Sequence, residues 1–101
     1  FPFGSSISGP AGTTAFGYKI DLALDGLTFV TSDPIFGNET GLIQVYSYDE
    51  GAWVQVGQDI LGDRPGDRLG TNLAISDDGN TFVSCAQDGL GYVRVYAYNG
   101  T

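Results

Sequence analysis

The side chains able to do chemistry in this chain are nearly all carboxylates. Twelve Asp and Glu stand against four Lys and Arg, with no His, no Met and a single Cys. Two carboxylates at a set spacing can divide general acid and base work without an imidazole. The nearest pairs are Asp63 with Asp67 and Asp77 with Asp78. Adjacent residues on a strand point to opposite faces, which separates Asp77 from Asp78. Asp63 and Asp67 alternate with Arg64 and Arg68 in Gly62-Asp-Arg-Pro-Gly-Asp-Arg-Leu-Gly70. Local ion pairing and turn formation are the roles expected of them there. Without His, and with one Cys, the chain cannot build a His-based triad or a His/Cys zinc site. No catalytic residue is assigned, no cofactor is expected, and the chain is read as non-enzymatic.

The remaining reactive positions are few. Cys85 lies in Val83-Ser-Cys-Ala86, which reads as strand, so a buried small apolar role is expected and no intrachain disulfide can form. Asn38-Glu39-Thr40 and Asn99-Gly100-Thr101 are N-glycosylation triplets, both in expected loops beside Gly. Asn38 and Asn99 are therefore the candidate glycan carriers, and they favour a secreted or cell-surface protein. A net charge of −8 and an isoelectric point near 4.1 argue against a nucleic-acid partner. No apolar run approaches the roughly 20 residues of a membrane-spanning helix. The chain opens on Phe1 with no basic and apolar leader, so it is read as a processed chain or a segment of a longer one.

What positions these residues is a repeat. Gly4, Ile7, Gly9, Gly17, Asp25-Gly26 and Thr28-Phe29-Val30 recur 53 positions later as Gly57, Ile60, Gly62, Gly70, Asp78-Gly79 and Thr81-Phe82-Val83. Gly41-Leu-Ile-Gln-Val-Tyr-Ser-Tyr48 recurs as Gly91-Tyr-Val-Arg-Val-Tyr-Ala-Tyr98, 50 positions on. The 101 residues are thus two units, 1–56 and 57–101. Gly9-Pro-Ala-Gly12 fills the loop that matches Asp63–Asp67 and carries no carboxylate, so the acidic pair is not a property of the unit.

Each unit reads as β. Segments 19–24 and 72–76 alternate in hydrophobicity and end at Asp-Gly, a strong hairpin signal. Segments 28–32 and 81–86 are the return strands, rich in β-branched and aromatic residues. Segments 42–48 and 92–98 are third strands, and 53–56 is a fourth. No stretch has a helical period. In 92–98, Val93, Val95 and Ala97 share one face and Tyr92, Arg94, Tyr96 and Tyr98 the other. Neither face is plainly polar, which suits burial on both sides. A tyrosine-rich face also suits a carbohydrate- or protein-binding platform, and that alternative stays open.

Trp53-Val-Gln-Val-Gly-Gln-Asp-Ile-Leu-Gly62, Gly66-Asp-Arg-Leu-Gly70, Ile75-Ser-Asp-Asp-Gly79, Val93-Arg-Val-Tyr-Ala-Tyr98 and Phe16-Gly17 together resemble FG-GAP-like β-propeller repeats, as in integrin α-subunits and divergent secreted microbial and algal proteins. The resemblance implies an all-β fold of two four-stranded antiparallel blades, with an eight-stranded sandwich as the alternative. It also implies a non-catalytic extracellular structural or adhesion module, with a lectin-like binding fragment as the alternative. Calcium-binding members carry Asp-x-Asp-x-Asp-Gly-x-x-Asp in the first hairpin. Here Asp25, Asp77 and Asp78 are the weak Ca²⁺ candidates, because several needed oxygens are replaced, by Ala23 and Phe29 in one unit and by Ala74 and Phe82 in the other. Turn formation is the expected role.

Two blades do not close a propeller. Phe1-Pro-Phe-Gly4 aligns with the tail of Trp53-Val-Gln-Val-Gly57, inside a fourth strand. The second unit stops short of its own. The expectation is that Phe1, Pro2 and Phe3 complete a neighbouring blade, that Tyr92, Tyr96 and Tyr98 take part in assembly, and that the partners are identical or homologous repeats joined head to tail.

Overall fold

The computed structural model describes residues 4, 6–87 and 91–97. They form eight strands: β1 Ile20–Leu22, β2 Thr28–Asp33, β3 Leu42–Asp49, β4 Ala52–Gln55, β5 Ile60–Leu61, β6 Asn72–Ile75, β7 Thr81–Ala86 and β8 Tyr92–Ala97. All strand pairings are antiparallel, so the protein is all-β. The first sheet runs β1-β2-β3-β4, and β5 joins β3 beside Leu42 and Ile43. The second sheet runs β6-β7-β8.

The two Asp-Gly hairpins fold by the same bonds. In the first, the Ala23 N–H reaches Thr28 O at 2.8 Å, the Gly26 N–H reaches Ala23 O at 2.9 Å, and Asp25 Oδ1 accepts the Leu27 N–H at 2.9 Å. In the second, Ser76 bonds Thr81 O at 2.8 Å, Gly79 bonds Ser76 O at 2.9 Å, and Asp78 Oδ1 accepts the Asn80 N–H at 2.9 Å. A side-chain oxygen that satisfies a backbone N–H two residues on defines this type of turn, and glycine supplies the positive φ that follows.

Sheet stacking buries the core. Val30, Ile43 and Val45 from the first sheet meet Phe82 and Ala86 from the second, with Leu69 between them. Each Val, Ile, Leu or Phe side chain among them that is fully removed from water contributes about 1.5–3 kcal/mol. Along the other edge of the stack, β1 lies beside β6. Asp21 Oδ2 accepts the Ile75 N–H at 2.8 Å, and the Leu24 N–H reaches Asp77 O at 3.1 Å.

Three features depart from the sequence reading. The fourth strand begins one residue earlier than expected and stops at Gln55. The short β5 extends the first sheet past the expected boundary at 56/57. Residues Phe36–Glu39, read as plain loop, form a helical turn in which Gly37, Asn38 and Glu39 have φ of 65°, 60° and 65°. Consecutive left-handed residues are strained, and this turn is held from outside. The Gly66, Arg68 and Leu69 N–H groups bond Asn38, Glu39 and Thr40 carbonyls at 3.1, 2.7 and 3.1 Å. The approach is so close that a Cβ on Gly41 would lie 2.3 Å from Leu69 backbone atoms, so only glycine fits there.

Candidate functional site

The register defines which side chains share a face. On the first sheet, Phe29 lies opposite Tyr46, and Tyr46 opposite Gln55, while Trp53 lies opposite Tyr48. These residues form an aromatic face that points away from the second sheet. Phe29 stacks on Tyr46 at 5.4 Å, and Trp53 meets the edges of Phe29 and Tyr48 at 5.1 and 5.2 Å. The other face, with Val30, Ile43 and Val45, packs inward. On the second sheet the orientation in the stack is such that the aromatic face points inward. Phe82 stacks on Tyr96 at 4.9 Å, and Tyr92 and Tyr96 pack against the core. The aliphatic face of one sheet therefore meets the aromatic face of the next.

Each outer face then keeps apolar residues in solvent. Val93 and Val95 are 69% and 68% exposed, whereas their repeat counterparts Ile43 and Val45 are 0% and 9% exposed. On the far side of the stack, Ile20, Leu22 and Leu24 of the β1 segment are also exposed.

Between the sheets, at the open end of β8, lies a cleft of about 500 Å³. Val45, Val56, Phe82 and Tyr96 form its apolar walls, and Gly57 and Asp59 stand in its lining. Asp59 Oδ1 accepts both the Gln44 and the Gln55 side-chain amides at 2.7 Å, and the Tyr46 hydroxyl donates to Gln44 Oε1 at 2.6 Å. Burial, reinforced by the Asp59 charge, pushes the Tyr46 phenol above its ordinary pKa.

The acidic loop forms the expected local turn, in which the Asp67 N–H reaches Arg64 O at 3.2 Å, but the ion pairs of Asp63 and Arg68 reach outside the loop. Asp63 bonds Arg94 on β8, and Arg68 bonds Glu39 in the left-handed turn at 2.6 Å. The hydrogen bond that Arg94 donates to Asp63 raises its guanidinium above the ordinary value. Asp67 is buried, accepting the Arg64 N–H at 3.3 Å and the Tyr92 hydroxyl at 3.1 Å. Tyr92 in turn accepts the Asp63 N–H at 3.0 Å, and burial is the main reason its phenol titrates high. These bonds leave the two carboxylates on different side chains, Asp63 on Arg94 and Asp67 on Tyr92, and they clamp the Gly62–Gly70 loop onto the second sheet.

The other expected site residues fall as follows. Asp25 and Asp78 cap their turns, and Asp77 is exposed. Among the described residues, no group of three or more His, Cys, Asp or Glu is arranged to hold a metal ion. Cys85 is half-buried on the outer face rather than in the core, because its strand puts it on the same side as Val93. Asn38 is exposed, and the Thr40 hydroxyl of its triplet donates to Gly37 O at 2.5 Å. Phe1, Pro2, Phe3, Tyr98 and Asn99 lie outside the described residues.

Sequence reasoning missed Asp33. This carboxylate is fully buried and accepts three backbone N–H groups: Thr14 at 3.0 Å, Ala15 at 3.1 Å and Ile35 at 3.1 Å. The one signal for it is an acidic residue ending a β-branched run just before Pro34. The stack as a whole defines an all-β protein of two antiparallel sheets packed face to face. No family model, curated protein or solved structure matches the chain. Among the described residues, no helix is long and apolar enough to cross a membrane.

Proposed function

We propose that this chain is a non-catalytic structural or adhesion module, built from FG-GAP-like β-propeller repeats and working outside the cell by joining head to tail with identical or homologous repeats. One observation carries the reading. The contact inside the molecule joins an aliphatic sheet face to an aromatic one, and the same aliphatic face recurs, uncovered, on the second sheet. Such a contact uses unlike surfaces, and it leaves the aliphatic face of the second sheet, with Val93 and Val95, free for the next one. Contacts of that kind close into rings or run on as filaments. Exposed apolar strands of this sort otherwise favour unspecific association, and the charge of −8 opposes that while leaving an ordered contact available. The glycan expectation at Asn38 and Asn99 belongs to the same extracellular reading.

Sedimentation velocity over a hundredfold concentration range tests it. Assembly that grows with concentration, and that Val93→Lys with Val95→Lys abolishes without lowering the melting temperature, supports the proposal. A monomer at every concentration, or assembly indifferent to the two lysines, overturns it.

A further inference from the structure

The cleft beside β8 matches the place that Trp53 fills on the first sheet at three repeat positions. Trp53 packs on Phe29, which is stacked on Tyr46, and a Cβ on Gly4 would lie 3.0 Å from the Trp53 ring. The counterparts of Phe29, Tyr46 and Gly4 are Phe82, Tyr96 and Gly57, and all three line the cleft. The stacked pair has nearly the same geometry in both sheets, with interplanar angles of 23° and 21°. Gly57 has a φ of 72° against 80° for Gly4, and a Cβ on it would meet nothing within 4 Å. Among the described residues, β8 is the edge of its sheet, with no strand paired beyond it, whereas β3 carries β4 along its corresponding edge.

We infer that the β8 edge and its cleft form a receptor for an extended strand of the β4 type, which adds antiparallel to β8 and inserts an indole between Phe82 and Gly57. This rests on the assembly reading and names the contact through which the second sheet receives a partner. The guest's main chain satisfies the open N–H and C=O groups of the edge, and its aromatic side chain selects the register. Transferring the β3–β4 pairing, in which Tyr46 faces Gln55 and Ser47 faces Val54, sets the guest Gln opposite Tyr96 and the guest Val opposite Ala97. The recognised chemistry is a Trp followed at the second position by Gln, the pattern of Trp53-Val54-Gln55. A buried Trp in such a pocket carries much of the binding energy of a contact.

The probe is a capped synthetic peptide with the sequence of residues 50–57, titrated into the full chain by calorimetry. Saturable one-to-one binding is expected, weakened at least tenfold by Trp→Ala in the peptide, with slowed hydrogen exchange along β8. Ser47→Phe places a ring in the cleft from the wall of the first sheet and abolishes binding while the melting temperature is kept. Phe82→Leu, a milder change than truncation, weakens binding several-fold. No saturable binding, or binding indifferent to the peptide Trp or to Ser47→Phe, overturns the inference. Peptide binding by a chain that stays monomeric sinks the assembly reading alone, and assembly without peptide binding sinks this inference alone.

Discussion

Phe29 on Tyr46 and Phe82 on Tyr96 are the same stacked pair in two settings. The first lies on an outer face, with Trp53 across its edge. The second faces inward over a cleft. The aliphatic faces show the opposite contrast, since Ile43 is fully buried and its counterpart Val93 is 69% exposed. Repeated sequence reproduces local geometry, because strand register and aromatic pairing depend on near neighbours. Burial depends on which side of the stack a face occupies, and that differs between two copies in any head-to-tail pair.

The largest expected effect tests that contrast directly. Ile43→Ala should lower stability by about 2–5 kcal/mol, as truncations of buried aliphatic residues do. Val93→Ala should stay within about 0.5 kcal/mol in the monomer. Denaturant melts of the two variants at low concentration check this, and equal losses would break the comparison.

The loops differ as well. In the first unit a strand carboxylate, Asp33, holds the loop through the Thr14 and Ala15 N–H groups. In the second unit its counterpart is Ala86, and the loop supplies its own carboxylate, Asp67, which counters Thr14 in the repeat. The carboxylate stands on the strand in one unit and on the loop in the other. Asp33→Ala strands these N–H groups and should cost about 1–3 kcal/mol. Thermal melts check the size, and faster hydrogen exchange confined to residues 14–15 and 35 checks the cause.

A smaller effect is expected for the clamp between Asp63 and Arg94. Both side chains are substantially exposed, at 52% and 34%, so solvent screens the pair. A double-mutant cycle should give about 0.2–1 kcal/mol, with most of it gone in 1 M salt. A larger coupling that survives salt would show that this loop is held more tightly than its first-unit counterpart.

The smallest is at the second hairpin. The Asn80 N–H and then the Ser76 hydroxyl hold the Asp78 carboxyl below its ordinary value of 3.8. A depressed folded-state value favours the ionised form, so this contribution is present above the ordinary value and is lost as pH falls through the lower one. Carboxyl titration by NMR should place Asp78 below 3.8, and Ser76→Ala should move it part of the way back. An unmoved midpoint would remove the hydroxyl from the turn.

Much of this was legible in the chain. Strand alternation, the Asp-Gly turns and the repeat predicted seven of the eight strands, because those signals are local. The two-residue β5 was not, since nothing local distinguishes Ile60-Leu61 from loop and only pairing with Leu42 and Ile43 makes it a strand. The left-handed turn at 36–39 was equally hidden, because its bonds come from Gly66, Arg68 and Leu69, far along the chain. For the candidate site, Tyr92 and Tyr96 were correctly set on one face, but whether that face looked inward or out was not readable. The Arg residues of the acidic loop were assigned to neighbours and instead meet Glu39 or flank the contact of Asp63 with Arg94.

The amino-acid sequence alone therefore determined the all-β class, the hairpins and the composition of each sheet face, all of which follow from periodicity and turn chemistry within a few residues. Only the tertiary structure decided the rest: the burial of Asp33 and Asp67, the partners of the arginines, the exposure of Val93 and Val95, and the cleft at β8. These depend on how one sheet lies against the other. A side chain's environment is set by residues distant in sequence, and two identical patterns reach different environments when one faces its copy and the other faces solvent.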